Sequence, residues 1–117
     1  MAKILVVDDS ASIRNMVSFT LQQQSYETVE AVDGQDGLTK AQNGKFDLVI
    51  TDVNMPVMDG ITLCSKLRLL PAFKFTPVLI LTTESSPEMK MRGKTAGATG
   101  WLVKPFNPDK LLATINA

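Results

Sequence analysis

The stretch that decides the fold is residues 46–56, FDLVITDVNMP, in which a short apolar run ends in a carboxylate and a proline then stops it. Leu48, Val49 and Ile50 predict a strand that is buried on both faces, as in a parallel sheet. Asp52 would then stand at the carboxyl end of this strand. Open parallel sheets bind their ligands at that edge, so we expect the chemistry of the protein there.

Composition limits the class of protein. The chain has 117 residues, and we expect one domain over 1–117 with no attached effector domain. Its 12 basic and 12 acidic side chains cancel, which predicts no general attraction to nucleic acid or to an anionic membrane. Histidine, the commonest zinc ligand, is absent. The single cysteine, Cys64, and the short apolar run at 4–7 are typical of a cytoplasmic protein without a signal peptide or membrane span.

Apolar runs alternate with helical patterns along the chain. The predicted strands are 4–7, 26–31, 48–50, 77–81 and 101–103, and helices are predicted to begin near residues 10, 35, 59, 86 and 108. Polar residues within 26–31 place that strand near the margin of the sheet. This alternation predicts an α/β fold in which helices cover both faces of a five-stranded parallel sheet, as a three-layer sandwich.

Two helices carry specific expectations. Ile13, Met16, Val17 and Leu21 recur at helical spacing and predict the inner stripe of the first helix. The helix that begins near residue 86 contains Gly93 and offers little apolar surface. We therefore expect it to be the most loosely docked of the five.

Four predicted strands end in groups that can do chemistry: Asp8 and Asp9, Asp52, Thr82, and Lys104. Each alone could be a turn former, a cap or a solvated charge. Their arrival at one edge is harder to attribute to turn chemistry. Three crowded carboxylates need a counter-charge, because their repulsion would otherwise raise their pKa values. Oxygen ligands without histidine or cysteine favour a hard cation such as Mg²⁺.

These groups suit phosphoryl transfer. A magnesium ion, an amine and a hydroxyl around one carboxylate would stabilise a phosphoryl group in transfer. Asp52 is the expected nucleophile and would form an acyl phosphate, while Asp8 and Asp9 would hold the metal. Lys104 would add a point charge suited to phosphate, and Thr82 would add a hydroxyl donor.

The sequence resembles the receiver domains of two-component response regulators, and among them the stand-alone chemotaxis regulators of the CheY type. The resemblance covers essentially the whole chain. It implies a flavodoxin-like, doubly wound sheet of strand order 2-1-3-4-5. The motifs that carry it lie in the family's order and spacing: Val7-Asp8-Asp9, Asp52-Val53-Asn54-Met55-Pro56, Met58-Asp59-Gly60, Leu81-Thr82-Thr83, Gly97-Ala98 and Lys104-Pro105-Phe106.

The resemblance also implies a metal site and a phosphoacceptor. Asp52 is the implied phosphoacceptor. Asp9 and Asp52 are implied as direct Mg²⁺ ligands, and Asp8 would act largely through water. The backbone carbonyl of Asn54 is a further implied ligand.

Other positions match the family's switch and tuning residues. The resemblance implies that Thr82 bonds the phosphoryl group and that Lys104, followed by a cis peptide to Pro105, pairs with it. Trp101 matches an aromatic switch that is usually tyrosine or phenylalanine. Asn54 and Glu84 match positions that influence hydrolysis of the phosphoryl group.

The implied partners are those of a signalling module. The donor would be a histidine kinase (CheA-like), and a flagellar motor switch protein (FliM-like) and a phosphatase would be further partners. Output would be a shift between two surface states, with no turnover of a substrate. We expect a monomer that binds neither nucleic acid nor membrane.

Other functions remain open from the sequence. The chain could be a phosphate sink or adaptor outside chemotaxis, or a receiver used only for docking. A haloacid-dehalogenase-like phosphatase usually carries Asp-x-Asp on its first strand, whereas Asp8 and Asp9 are adjacent here. A flavodoxin-like flavin binder is disfavoured, because those two acids would repel its phosphate.

Overall fold

Five strands alternate with five helices along residues 2–116, the part of the chain that the computed structural model describes. The strands are β1 (Lys3–Val7), β2 (Glu27–Ala31), β3 (Leu48–Thr51), β4 (Val78–Thr82) and β5 (Gly100–Val103). The helices are α1 (Ala11–Gln23), α2 (Gly34–Gln42), α3 (Gly60–Leu67), α4 (Pro87–Thr95) and α5 (Pro108–Ile115), and a short 3₁₀ helix covers Pro71–Phe73.

All neighbouring strands pair in parallel, in the order β2-β1-β3-β4-β5. This confirms the predicted flavodoxin-like sheet and places the polar strand β2 at its margin. Val7 lies opposite Thr51, and Thr51 lies opposite Ile80. The carboxyl ends of the central strands are therefore aligned, so residues that follow them meet at one edge.

Each central strand contributes side chains to two hydrophobic cores, because successive side chains of a strand point to opposite faces of the sheet. Leu5 and Val7 of β1 belong to a core with α2 and α3. Ile4 and Val6 belong to a second core with α1 and α5. Helices thus cover both faces of the sheet, as the apolar runs predicted.

The predicted inner stripe of α1 is wrong at one position. Val17 and Leu21 are fully buried, and Ile13 is half-buried, but Met16 is exposed. Ser18 and Thr20 of the same helix are buried as well, so the buried face of α1 is turned away from Met16. Met16 faces a groove between α1 and α5.

The connection from α3 to β4 is organised by Arg68, which the sequence did not predict. Its guanidinium donates hydrogen bonds to the backbone oxygens of Phe73 (2.7 Å) and Thr76 (2.6 Å). It also donates twice to the backbone oxygen of Gly97, at 3.2 and 2.8 Å. Gly97 has φ of +101°, and a Cβ there would lie 2.9 Å from the Arg68 Nε. Glycine therefore permits both the left-handed backbone and the approach of Arg68.

Within residues 2–116, none of the helices combines the length and the apolar character that crossing a bilayer requires.

Candidate functional site

The site lies just beyond the carboxyl ends of β1, β3 and β5. The N–H of Asp52 donates to the backbone oxygen of Val7 at 3.0 Å, and the N–H of Lys104 donates to that of Thr82 at 2.7 Å. Sheet-like hydrogen bonding thus continues for one residue past each of these strands. As a result, the backbones of Asp52 and Lys104 are fixed by the sheet itself.

Lys104 joins two carboxylates from different strands. Its Nζ lies 2.9 Å from Asp52 Oδ2 and 2.9 Å from Asp8 Oδ2. The side chains are only 12% (Lys104), 10% (Asp52) and 4% (Asp8) exposed. Water therefore screens these charges weakly, and removing one partner would leave a costly unpaired charge.

The shifted pKa values show that this charge balance is incomplete. Burial raises the pKa of Asp8, and it outweighs the opposing effects of the Ser10 N–H and of Lys104. Burial alone would lower the pKa of Lys104, but hydrogen bonds and charges from Asp52 and Asp8 outweigh it, and the pKa is raised. The ammonium therefore stays charged, yet it does not offset the burial of Asp8. A second cation would stabilise the charged form of that carboxylate.

The donor atoms fit a hard divalent cation. Asp8, Asp9 and Asp52 each offer a carboxylate oxygen, and these oxygens lie within 4.8 Å of one another. Asp8 and Asp52 are buried, whereas Asp9 is exposed and forms the solvent side of the cluster. A carboxylate-only set with an open side suits Mg²⁺, which keeps several waters when it binds.

Glu84 connects the rim of the site to Trp101. Its carboxylate accepts a hydrogen bond from Asn54 Nδ2 at 2.9 Å, and its backbone oxygen accepts one from Trp101 Nε1 at 2.9 Å. Its N–H donates to the Oγ1 of Thr82 at 3.3 Å, and the Thr82 side chain is fully buried. Four residues named from the sequence are thus linked. The linkage itself was missed, although a half-buried indole N–H generally has a partner.

Gly93 makes room for Trp101. A Cβ at Gly93 would lie 2.7 Å from the indole ring of Trp101. The ring is half-buried and packs against a small core that includes Val53, Ile61 and Ile80. Gly93 therefore weakens α4 as a helix but also leaves the space that the ring of Trp101 occupies.

The loop from β3 to α3 holds the backbone around Asp52. Asp59 caps α3 by accepting a hydrogen bond from the Thr62 N–H at 2.8 Å. Gly60 has no room for a Cβ, which would collide with the backbone oxygen of Asp52. Val57 is exposed and has φ of +69°, a left-handed backbone that is unfavourable for a β-branched residue. The peptide between Lys104 and Pro105, at the opposite wall, is cis.

Known proteins resemble this chain over nearly its whole length. A family model described as the response regulator receiver domain matches residues 4–116. The structure of the chemotaxis response regulator CheY4 of Vibrio cholerae is 59% identical, has a TM-score of 0.95, and covers 99% of this chain and 97% of that chain.

Curated relatives resemble it over the same residues. The alkaline phosphatase synthesis transcriptional regulatory protein PhoP of Bacillus subtilis is 37% identical over 115 residues, 98% of this chain and 47% of the relative. The response regulator ArlR of Staphylococcus aureus is 36% identical over 117 residues, 100% of this chain and 52% of the relative. The chain thus spans about half the length of the curated relatives it matches.

Proposed function

The chain belongs to the response regulator receiver domain family, and from that premise we propose that Asp52 accepts a phosphoryl group from a histidine kinase. The observation that carries the proposal is the position of Lys104. Its ammonium bonds the buried carboxylates of Asp52 and Asp8 at 2.9 Å each, so a fixed positive charge already stands beside the proposed nucleophile. Asp9 belongs to the same carboxylate cluster, and the backbone oxygen of Thr82 accepts the Lys104 N–H at 2.7 Å.

The residues divide the work of phosphoryl transfer. A carboxylate oxygen of Asp52 forms a bond to phosphorus while the bond from phosphorus to the histidine nitrogen of the donor breaks. Lys104 pairs with a phosphoryl oxygen, and the Thr82 hydroxyl donates to another. Asp9, Asp52, the Asn54 carbonyl and, through water, Asp8 would hold Mg²⁺. When bound, Mg²⁺ neutralises charge on the phosphoryl oxygens.

The linkage through Glu84 supports a role for Trp101 as the switch. When the Thr82 hydroxyl turns to the phosphoryl group, it releases its contact with the Glu84 N–H. Because Glu84 also holds the indole of Trp101, the change passes to the surface formed by α4 and β5. Asn54 and Glu84 border the path of water to the phosphoryl group and would set its lifetime.

A chemotaxis role is the finer part of the proposal. It is supported by the 59% identity to a chemotaxis receiver that matches this chain nearly end to end. The donor would then be a CheA-like kinase, and a FliM-like motor switch protein would read the signal, with a phosphatase ending it. The transcriptional regulators among the relatives favour a second candidate, a receiver that serves another output or acts as a phosphate sink.

Phosphorylation by acetyl phosphate tests the central claim. With Mg²⁺, the mass of the intact protein should rise by one phosphoryl group, and Asp52→Asn should abolish the rise. Asp59→Asn is the matched control, because Asp59 is an acid of the adjoining loop that caps α3 and lies outside the carboxylate cluster. Full labelling of Asp52→Asn, or equal loss in both variants, would refute the assignment.

Metal and switch can be measured without turnover. Mg²⁺ should raise the melting temperature by linkage, and Asp9→Asn should reduce the rise. Beryllofluoride with Mg²⁺ should change the emission of Trp101, the only tryptophan. An unchanged spectrum despite a metal-dependent rise in melting temperature would remove Trp101 from the switch and leave the phosphoacceptor standing.

A pull-down of binding partners distinguishes a chemotaxis output from a phosphate sink. Beryllofluoride should strengthen binding to the motor switch protein if the output is chemotaxis. Retention of kinase alone, with no activation-dependent partner, would favour the phosphate sink.

A further inference from the structure

The loop before β4, residues 69–77, presents apolar surface to solvent at the edge opposite the phosphoryl site. Leu69 is 82% exposed and Phe75 is 87% exposed, and Pro71, Ala72 and Pro77 are exposed as well. The one charged residue of the loop is Lys74, whose ammonium lies 5.6 Å from the centre of the Phe75 ring. Several apolar side chains exposed within one short loop mark an interaction site more often than isolated apolar residues do.

Hydrogen bonds from Arg68 fix the loop on either side of Phe75. Arg68 binds the backbone oxygens of Phe73 and Thr76, which stand on either side of Lys74 and Phe75. Phe73 turns inward and is only 2% exposed, so the core position is already filled by one of the two aromatic rings. Phe75 is therefore an exposed knob on a fixed backbone, and little backbone freedom is lost when its ring is covered.

A cavity of about 460 Å³ opens at the same edge, under the C-terminal end of α5. Its walls are mainly apolar and include Ile4, Leu48 and Leu79. Among the described residues that line it, Asp47 is the one that carries a charge. Asp47 is exposed, and its Oδ2 accepts the Lys3 N–H at 2.8 Å. The volume is ample for one aromatic side chain.

The knob and the cavity carry opposite charges, at Lys74 and Asp47, and they adjoin on one chain. Pro77 lines the cavity and stands only two residues from Phe75. A surface that carries a knob beside a matching cavity can meet an identical surface about a two-fold axis, and both contacts then form twice. A ring seated in the cavity of another copy would bring Lys74 of the loop close to Asp47 of the cavity.

We propose that two copies of this chain pair through this edge, each placing Phe75 in the cavity of the other with Lys74 against Asp47. The pairing is independent of the phosphoryl chemistry, because the loop and the cavity lie at the opposite edge of the sheet. The contact is small and therefore weak. At low concentration the chain remains the monomer expected from its sequence.

Sedimentation equilibrium up to about 1 mM chain tests the pairing, since that range detects dimers with a dissociation constant as weak as about 1 mM. The native chain should show a monomer–dimer equilibrium. Phe75→Ser should raise the dissociation constant at least about tenfold. Phe19→Ser is the matched control, because Phe19 is an exposed phenylalanine on α1, outside both the loop and the cavity. A native chain that is monomeric throughout, or equal effects of the two variants, would overturn the proposal.

Charge reversal identifies the register of the contact. Lys74→Asp and Asp47→Lys should each weaken pairing, and the double variant should restore it. Because Asp47 also accepts the Lys3 N–H, melting curves must first show that each variant is folded. If the folded double variant pairs no better than the single ones, the two side chains do not meet and the geometry is refuted. Acetyl phosphate labelling of Asp52 should be unchanged in every variant.

Discussion

Helices α3 and α4 begin alike but are attached to the protein very differently. Asp59 caps the first and Ser86 caps the second, through hydrogen bonds of 2.8 and 3.2 Å. Five of the eight residues of α3 are buried, whereas Gly93 is the one buried residue among the nine of α4. A cap therefore decides where a helix begins, and its apolar stripe decides how firmly it is held.

The contacts that do hold α4 lie toward its C-terminal end. Arg68 binds the backbone oxygen of Gly97, just past the helix, and the Sγ of Cys64 donates to that of Ala96 at 3.4 Å. Trp101 packs against Gly93. The N-terminal end of α4, which follows Thr82 and Glu84, makes fewer such contacts. A conformational change at the carboxylate site would therefore displace this end of the helix first.

Truncation of one apolar side chain in each helix should give the largest difference. Leu67→Ala in α3 removes a fully buried side chain and should lower the free energy of unfolding by about 2–5 kcal/mol. Met91→Ala in α4 removes an exposed one and should change it by less than about 0.5 kcal/mol. Urea unfolding measures both, and similar losses would contradict the contrast.

Removal of Arg68 should release the C-terminal attachment of α4. Arg68→Ala leaves three backbone oxygens without their charged donor and should cost about 2–3 kcal/mol. Hydrogen exchange at Ala96 and Gly97 should accelerate more than exchange in α3. Arg68→Lys keeps the charge but cannot reach several acceptors at once, so it should recover only part of the loss.

Removing either cap should destabilise its helix by a similar amount, but the two losses should be detected by different measurements. Asp59→Ala and Ser86→Ala should each remove about 1 kcal/mol from their own helix. Because α3 is part of the core, its loss should appear in global unfolding, whereas that of α4 should appear mainly as faster local hydrogen exchange. Equal global losses would mean that α4 unfolds only with the whole protein.

Gly93→Ala should have the smallest net effect on stability. Alanine favours a helix over glycine by about 1 kcal/mol, but the new Cβ would press on the ring of Trp101. The two effects oppose each other, so the net change should stay within about 1 kcal/mol. The indole should move outward, and its emission should shift to longer wavelength. An unshifted emission spectrum would show that α4 is displaced and that the ring of Trp101 stays in place.

The strand count could be predicted from the alternation of the chain, and four strand ends could be predicted because an apolar run stops there at a residue with distinct chemistry. Asp8, Asp52 and Lys104 converge, as expected for a parallel sheet. The strand order came from a family resemblance and not from periodicity. The proposed roles of Asp8, Asp52 and Lys104 in phosphoryl transfer remain predictions.

What the sequence could not give depends on side chains that meet from distant elements. Periodicity placed Met16 in the core because it does not reveal how wide a stripe the neighbouring elements cover. The local sequence indicates only a solvated charge at a helix end for Arg68, yet its side chain donates to backbone oxygens 5, 8 and 29 residues away. Trp101 donates to an oxygen 17 residues before it. No local pattern encodes such pairs.

The bridge made by Lys104 bears on the order in which the chain is made. Its two acidic partners precede it by 52 and 96 residues, and it follows the last strand of the sheet. A nascent polypeptide that has left the ribosome only through β4 carries the crowded acids without their ammonium. The bridge between the two acids and the ammonium of Lys104 therefore forms only when the fifth strand docks.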